Sequence, residues 1–357
     1  MKTVVKIISG ILLFCGLAVG VAGGIYWRQL SSIGQVPFKP ADEPLVEVEI
    51  KRGMGPRAIS RLLEQKGIIE DAEGFYRYLR FVAKKSAALK SGDYQLSPSM
   101  SADQIIATLE RGLQKEFRFT IQEGLRKTEI AKVIADAKIA SEKAMLKAMN
   151  DPDLIAEFGV PKTGAGGQAS IGGGMEGYLY PDTYQFPKGT APEAILRKLR
   201  QRLNTVLDDK MRARMKEMGW NLHKVLTLAS IVEKETGQPF ERPHIASVFH
   251  NRLKLKMKLQ TDPTVIYGIP NYDGNIRKKD LLTPRPYNTY TIKGLPPGPI
   301  ASPGKEAIRA VLWPDDKDDL FFVSRNDGTH IFCPTLKCHN AAVKKWQIEF
   351  FKKKRQK

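Results

Sequence analysis

An α+β fold is what this sequence predicts: a single N-terminal transmembrane helix, then a small module, then a larger α+β domain. Three observations carry the prediction. An uncharged run from Ile7 to Trp27 follows Lys2 and Lys6. Short stretches of period-two alternation come next, each trailed by a glycine turn and a short amphipathic helix. Helical periodicity then dominates from residue 192, interrupted by a hairpin signal near the end. The expected segments are 1–30 for the cytoplasmic start and anchor, 31–45 for a linker, 46–115 for the small module, 116–345 for the large domain and 346–357 for a basic tail.

At about 1.5 Å of rise per residue, the Ile7–Trp27 run is long enough to cross a hydrocarbon core of about 30 Å. Lys2 and Lys6 hold the N-terminus in the cytoplasm, and Tyr26-Trp27 falls where an interfacial aromatic anchor belongs. The expected location is therefore the cytoplasmic (inner) membrane, single-pass through residues 7–27, with everything downstream in the periplasm. A cleaved signal peptide is the rival reading, with Gly20, Ala22, Gly23 and Gly24 as cleavage-site material. The apolar run is longer than a usual signal core, which favours the anchor.

A chain of 357 residues can build two or three real cores. Its formal net charge of +19 would ordinarily raise nucleic acid as a partner. The topology excludes it, because the polyanions outside the membrane are lipid headgroups and wall polymers. Much of the excess sits in Lys344-Lys345 and Lys352-Lys353-Lys354-Arg355, read as a solvated, frayed end. Cys15 lies in the anchor. Cys333 and Cys338 either pair across the Pro334 turn or stay free, and with His330 and His339 their spacing is wrong for a standard zinc module.

Pro37, Pro40 and Pro44 mark residues 28–45 as a non-helical linker. Val46-Glu47-Val48-Glu49-Ile50 alternates and reads as a half-buried strand. Gly53 and Gly55-Pro56 turn the chain, and Ala58, Ile59, Leu62 and Leu63 form a helix stopped by Gly67. The same unit returns as Gly92 to Leu96 with a helix opened by Ser99 or Ser101 and closed by Gly112. It returns again as Phe117 to Ile121, Gly124, and a helix through Ile130, Val133 and Ile134. Residues 163–174 are a glycine-rich loop without the Lys-Ser/Thr that a phosphate cradle needs. The tyrosines from Tyr178 to Tyr184 either stack on sugars or fill a core. Residues 192–216 and 221–236 read as two helices. Asn326-Asp327-Gly328 turns a hairpin between Leu320–Val323 and Thr329–Phe332, and a last helix covers about 336–351.

The helix around Leu228 to Thr236 places two acids at its C-terminal end. At 100° per residue, Val225, Leu228, Ala229, Val232 and Thr236 share one face and Lys234 points away from it. Glu233 and Glu235 fall on opposite shoulders. Partial desolvation and the helix C-terminal dipole both favour the protonated form of an acid placed there, as general acid catalysis requires. Periodicity does not choose between the two, and either could simply be a surface glutamate paired with Lys234 or Arg242.

Leu228-Ala229-Ser230-Ile231-Val232-Glu233-Lys234-Glu235-Thr236 resembles the core motif of the endolytic murein transglycosylases, the YceG-like family. Further blocks match in order: Ala246 to Leu253, Leu259 to Gly268, Tyr287 to Tyr290, Leu295 to Ile300 and Ser302 to Gly304. Upstream, Glu123-Gly124, Glu176-Gly177-Tyr178 and Pro181-Asp182-Thr183-Tyr184 fit as well. The resemblance spans roughly residues 46–345, and it makes 116–345 the catalytic domain. Residues 46–112 separately resemble a LysM-like carbohydrate-binding module, with an ordinary α+β packing domain as the alternative.

The resemblance implies a membrane-anchored lytic transglycosylase that cleaves between N-acetylmuramic acid and N-acetylglucosamine inside peptidoglycan strands. It implies 1,6-anhydro ends, control of nascent strand length, and neither cofactor nor metal. Glu233 becomes the acid/base, and Glu235, on the other shoulder, is expected to face away from the cleft. Gln260, Asp262, Thr264, Asn288 and Tyr290 become the expected glycan contacts, with Asp262 equally able to hold a turn. Glycan strands are the expected partner, and wall-building synthases a further class. Two alternatives stand beside this reading: a hydrolytic muramidase using Asp262 as second carboxylate, and a non-catalytic peptidoglycan-binding scaffold for synthases.

Overall fold

The computed structural model describes residues 17, 20–39, 43–86, 88–112, 115–162 and 174–355. Two compact units emerge, Met1–Phe117 with Pro187–Gly189, and Arg118–Phe186 with Thr190–Lys357. Much of the Ile7–Trp27 run lies outside the described residues. Among the described residues no helix is long and apolar enough to cross a membrane. Residues 20–32 are helical, so helix enters the segment expected to be linker. Leu30, Ile33 and Phe38 pack on the core of the first unit, which makes part of the 31–45 linker an ordered flank of the module. Pro37, past the end of that helix, bridges Ser101.

In the first unit β1 (Val46–Ile50) pairs antiparallel with β2 (Gly92–Leu96), Val46 opposite Leu96 and Ile50 opposite Gly92. Val48, Ile50, Tyr94 and Leu96 are buried, the alternation expected of one covered face. Three helices cover it: α1 (Pro56–Gln65), α2 (Ala72–Arg77) and α3 (Ala102–Arg111). Leu63, Leu79, Ile105 and Leu109 form the centre of that core. Of the two candidate serines, Ser101 caps α3, in a capping box with Gln104, and Gly112 closes the helix at φ +73°. The third copy of the strand–helix pattern does not join this sheet. Its strand β3 (Glu116–Thr120) pairs with β4 (Thr183–Pro187).

The second unit is mostly helical. α4 (Lys127–Asp136), α5 (Glu142–Met149) and α6 (Pro152–Glu157) precede the glycine-rich loop, which, apart from Gly174, lies outside the described residues. The helix expected over 192–216 is two, α7 (Pro192–Val206) and α8 (Asp209–Glu217). Leu207 leaves helical geometry and the Asp208 side chain accepts from Met211 N–H, starting the chain afresh. α9 (Leu222–Glu235) is buried without a break from Val225 to Val232. It is a central helix rather than an amphipathic one, packed against α10 (Arg242–Lys254) and α13 (Lys305–Leu312).

Between those last two run the short helices α11 (Asp262–Gly268) and α12 (Lys278–Leu282). β5 (Phe321–Ser324) and β6 (His330–Cys333) form the expected hairpin, with Asn326 and Gly328 at positive φ. α14 (Leu336–Val343) passes through a π-turn, Lys344–Glu349, into α15 (Phe350–Arg355). The basic end is thus helical through Arg355 rather than frayed from residue 346. Cys333 and Cys338 form a disulfide with Cα atoms 5.6 Å apart, tying β6 to the start of α14.

Candidate active site

The site grows from the C-terminal end of α9. Asn221 starts the helix by accepting from Lys224 N–H at 2.9 Å, and Thr236 leaves it in an extended conformation. Two polar groups on this buried helix tie it to the proline-rich loop. The Ser230 hydroxyl accepts from Ile300 N–H at 3.0 Å. His223 Nε2 meets the Pro297 carbonyl at 2.8 Å and its Nδ1 meets the Tyr178 hydroxyl at 3.0 Å. A carbonyl can only accept, so Nε2 carries the proton and Nδ1 accepts from the tyrosine. Burial pushes the His223 pKa down and keeps that neutral tautomer. Tyr178, Tyr180 and Tyr184 are all buried, so these rings fill the core.

Glu233 projects from the last turn of α9 with its side chain only 6% exposed. Arg242, the first residue of α10, donates from Nη2 to Glu233 Oε1 at 2.6 Å. Gly304 N–H, at the head of α13, donates to Oε2 at 2.9 Å. A third segment brings Glu123, whose Oε2 lies 3.6 Å from the same Arg242 nitrogen and whose side chain is 47% exposed. That segment is pinned: Gly124 N–H donates to Ser302 O and Ser302 N–H to Leu125 O, both at 2.8 Å. Lys234 adds a bond from Nζ to Gly124 O at 3.3 Å. Burial first, then the negative charge of Glu233, push the Glu123 pKa up; Arg242 opposes them and Glu306 adds to them.

Gly304 is needed for space. A Cβ there would stand 1.9 Å from Glu123 Oε1. The bare Cα lets one residue touch both carboxylates.

Glu235 turns toward the loop that carries Thr261. It is half-buried, and its Oε1 accepts from the Thr261 hydroxyl. Burial is the main reason its pKa is pushed up to about 7; Asp262 adds to the rise, while Thr261 and Arg252 oppose it. Behind Thr261 the expected glycan contacts separate into two kinds. Gln260 and Asp262 are exposed, and the half-buried Tyr290 donates from its hydroxyl to Asp262 Oδ1 at 2.7 Å. Thr264 and Asn288 are buried. Thr264 donates to Thr261 O at 2.7 Å, and Asn288 gives its amide N–H groups to the Asp280, Leu281 and Thr283 carbonyls. Those two shape the loops and have no face left for a glycan.

A family model described as the YceG-like family matches residues 48–345. The chain belongs to the YceG-like family. Among curated proteins it is 35% identical over 316 residues to one from Bacillus subtilis (strain 168), covering 87% of each chain. It is 28% identical over 335 residues to one from Streptococcus pneumoniae (strain D39), covering 86% of this chain and 59% of that one. Both bear the name endolytic murein transglycosylase. A crystal structure of a yceG-like protein from Listeria monocytogenes is 36% identical, with a TM-score of 0.58, covering 84% of this chain and 99% of that one.

In and around the YceG-like motif blocks, several roles are illegible from sequence. Arg242 registered only as a possible surface partner, and Glu123 only as a matching block. His223 left no signal, because a histidine on an apolar helix has no pattern of its own. Glu176 is buried, accepting from Lys127 N–H at 2.8 Å and from the Tyr267 hydroxyl at 3.1 Å. Burial is the main cause that pushes its pKa up to about 7. Arg252 likewise turns inward, donating to the Leu259 and Leu320 carbonyls at 2.7 and 2.6 Å. It fixes the backbone just before Gln260.

Proposed function

We propose that this chain is a membrane-anchored lytic transglycosylase that cuts inside peptidoglycan glycan strands and limits the length of nascent ones. What carries the reading is Glu233, a nearly buried carboxyl at a helix end, in a chain 35% identical to a protein named endolytic murein transglycosylase. In this mechanism protonated Glu233 gives its proton to the oxygen joining N-acetylmuramic acid to N-acetylglucosamine. The C1–O bond breaks through an oxocarbenium-like transition state. The muramyl C6 hydroxyl attacks C1 and returns its proton to the Glu233 carboxylate. The product is a 1,6-anhydro ring, and no water is consumed. An intramolecular nucleophile of preset orientation needs no second carboxylate to activate it.

Gln260 and Asp262, both exposed, and the half-buried Tyr290 bonded to Asp262 are the residues we assign to glycan contact. We read the first unit as a LysM-like grip on the same strand. We place the anchor in the inner membrane through residues 7–27, with the rest in the periplasm, where wall-building synthases are the partner class to expect. A second reading has its own observation: Asp262 is an exposed carboxylate beside Glu235. Such a pair could activate water and make the enzyme a muramidase.

The test is mass spectrometry of products made from polymeric glycan by the full-length chain in detergent. Internal cuts ending in 1,6-anhydro-muramyl groups are the expected result. Reducing muramyl ends mean hydrolysis and sink the lytic assignment.

A further inference from the structure

Glu233 is gripped at both of its oxygens. Both its oxygens accept, one from a guanidinium and one from a backbone N–H, and a carboxylate in that grip is acceptor-only. An acid catalyst in this position needs its arginine loosened. Arg242 has somewhere to go. Nη2 serves Glu233 at 2.6 Å and already lies 3.6 Å from Glu123, so a side-step of about 1 Å reverses its preference. Its Nε is buried and has no hydrogen-bond partner among the described residues. Two carboxylates therefore crowd one nitrogen while the adjacent donor stands idle. The two-point grip that arginine offers a carboxylate is not yet made.

Resting on the reading of Glu233 as the acid, we propose that Glu123 is a positioning residue: it competes for Arg242, and the arginine's move onto Glu123 leaves Glu233 free to hold the catalytic proton. Whichever carboxylate gives up Arg242 is the one that more readily takes up a proton from solvent. Like charges this close to one cation do not both stay ionised at low cost. The groups facing Glu123 are Glu233, Arg242, Glu306 and Tyr180, with Lys234 against the neighbouring Gly124 carbonyl. Gly304 keeps the space in which the exchange occurs.

The experiment is kcat/KM on polymeric glycan from pH 4.5 to 8, with thermal melts to confirm folding. It compares the full-length wild type with Glu123→Gln, Glu123→Asp, Arg242→Gln and Glu233→Gln. Glu123→Gln removes the competitor and the negative charge, so the alkaline limb should move down by at least one pH unit, with a loss that grows as pH rises. One unit is tenfold in rate on that limb. Glu123→Asp keeps the charge but shortens its reach by one methylene, so its limb should fall between those of wild type and Glu123→Gln, and Arg242→Gln should move the limb up. A uniform loss at every pH in Glu123→Gln, or an unmoved limb in both variants while Glu233→Gln is dead, overturns the exchange. A folded Glu233→Gln with full turnover overturns the acid assignment itself, whatever Glu123 does.

Discussion

The backbone N–H of Gly304 donates to Oε2 of Glu233 at 2.9 Å, joining the head of α13 to the tail of the buried α9. Gly304 has no side-chain cap on α13, so this helix start presents bare N–H groups and a partial positive charge. Glu233 lies at the end of α9, where the dipole is unfavourable to an anion. The neighbouring helix start and Arg242 offset that. The balance is local, and single substitutions can tip it.

Glu233→Gln should keep the shape of the side chain and its bond from Gly304 while removing the titrating proton. Loss of general acid catalysis is typically about 10²–10⁴-fold. The loss should reach the upper part of that range, because one group serves both proton transfers. Turnover of polymeric glycan by the folded variant measures it.

Glu235→Gln separates the two acids. Its Oε1 can still accept from Thr261, so the 260–264 loop should hold and turnover should stay within roughly tenfold of wild type, the loss of one hydrogen bond's strength being about 1 kcal/mol. A loss as deep as that of Glu233→Gln would move the acid role to Glu235 and favour the hydrolytic pair with Asp262.

Gly304→Ala should fold and fail. Its φ of −77° suits any residue, but the added Cβ would meet the Glu123 carboxyl at 1.9 Å. That carboxyl ends a half-exposed, flexible side chain and can swing away cheaply. The melting temperature should therefore change little, while kcat/KM falls on the order of 10–100-fold as the site loses its geometry. A variant that melts early would show that the glycine serves packing instead.

Glu176 ties stability to pH. Its pKa is raised from 4.5 to about 7 by burial, so between those values the folded state holds a proton that the unfolded state has lost. The group's contribution to stability therefore falls as pH rises from about 4.5 to 7, then levels off. Denaturant melts of wild type and Glu176→Gln should differ little at pH 5. The wild type should lose about 1–3 kcal/mol relative to the variant by pH 7.5. A constant difference across that window refutes the assignment.

Cys333→Ser with Cys338→Ser opens a short loop, for which the chain-entropy model gives about 2 kcal/mol. Burial of Cys333 adds to the cost. Activity at low temperature should barely change, since the disulfide holds β6 and α14 rather than any acid. Free labelling of both thiols in unreduced, denatured protein would show that the bond does not form.

Sequence by itself determined the local structure and the identity of the motif. Val46–Ile50 and Gly92–Leu96 announced their strands by alternation, Ser101 and Gly112 bracketed a helix, and Asn326-Asp327-Gly328 marked its hairpin, because each signal is set by neighbours a few residues away. The motif around Glu233 was legible for the same reason. Tertiary structure decided what the chain could not show in one dimension. It split 192–216 at Asp208, buried α9 on every side, and turned Glu235 toward Thr261. It withdrew Thr264 and Asn288 into the loops they hold. It also brought Glu123, Glu233, Arg242 and Gly304 together from four separate segments. A carboxyl's environment is made by groups within a few ångströms of it, and those groups lie up to 181 positions apart in the chain (Glu123 to Gly304), so no periodicity or spacing can encode which of two glutamates is gripped by an arginine.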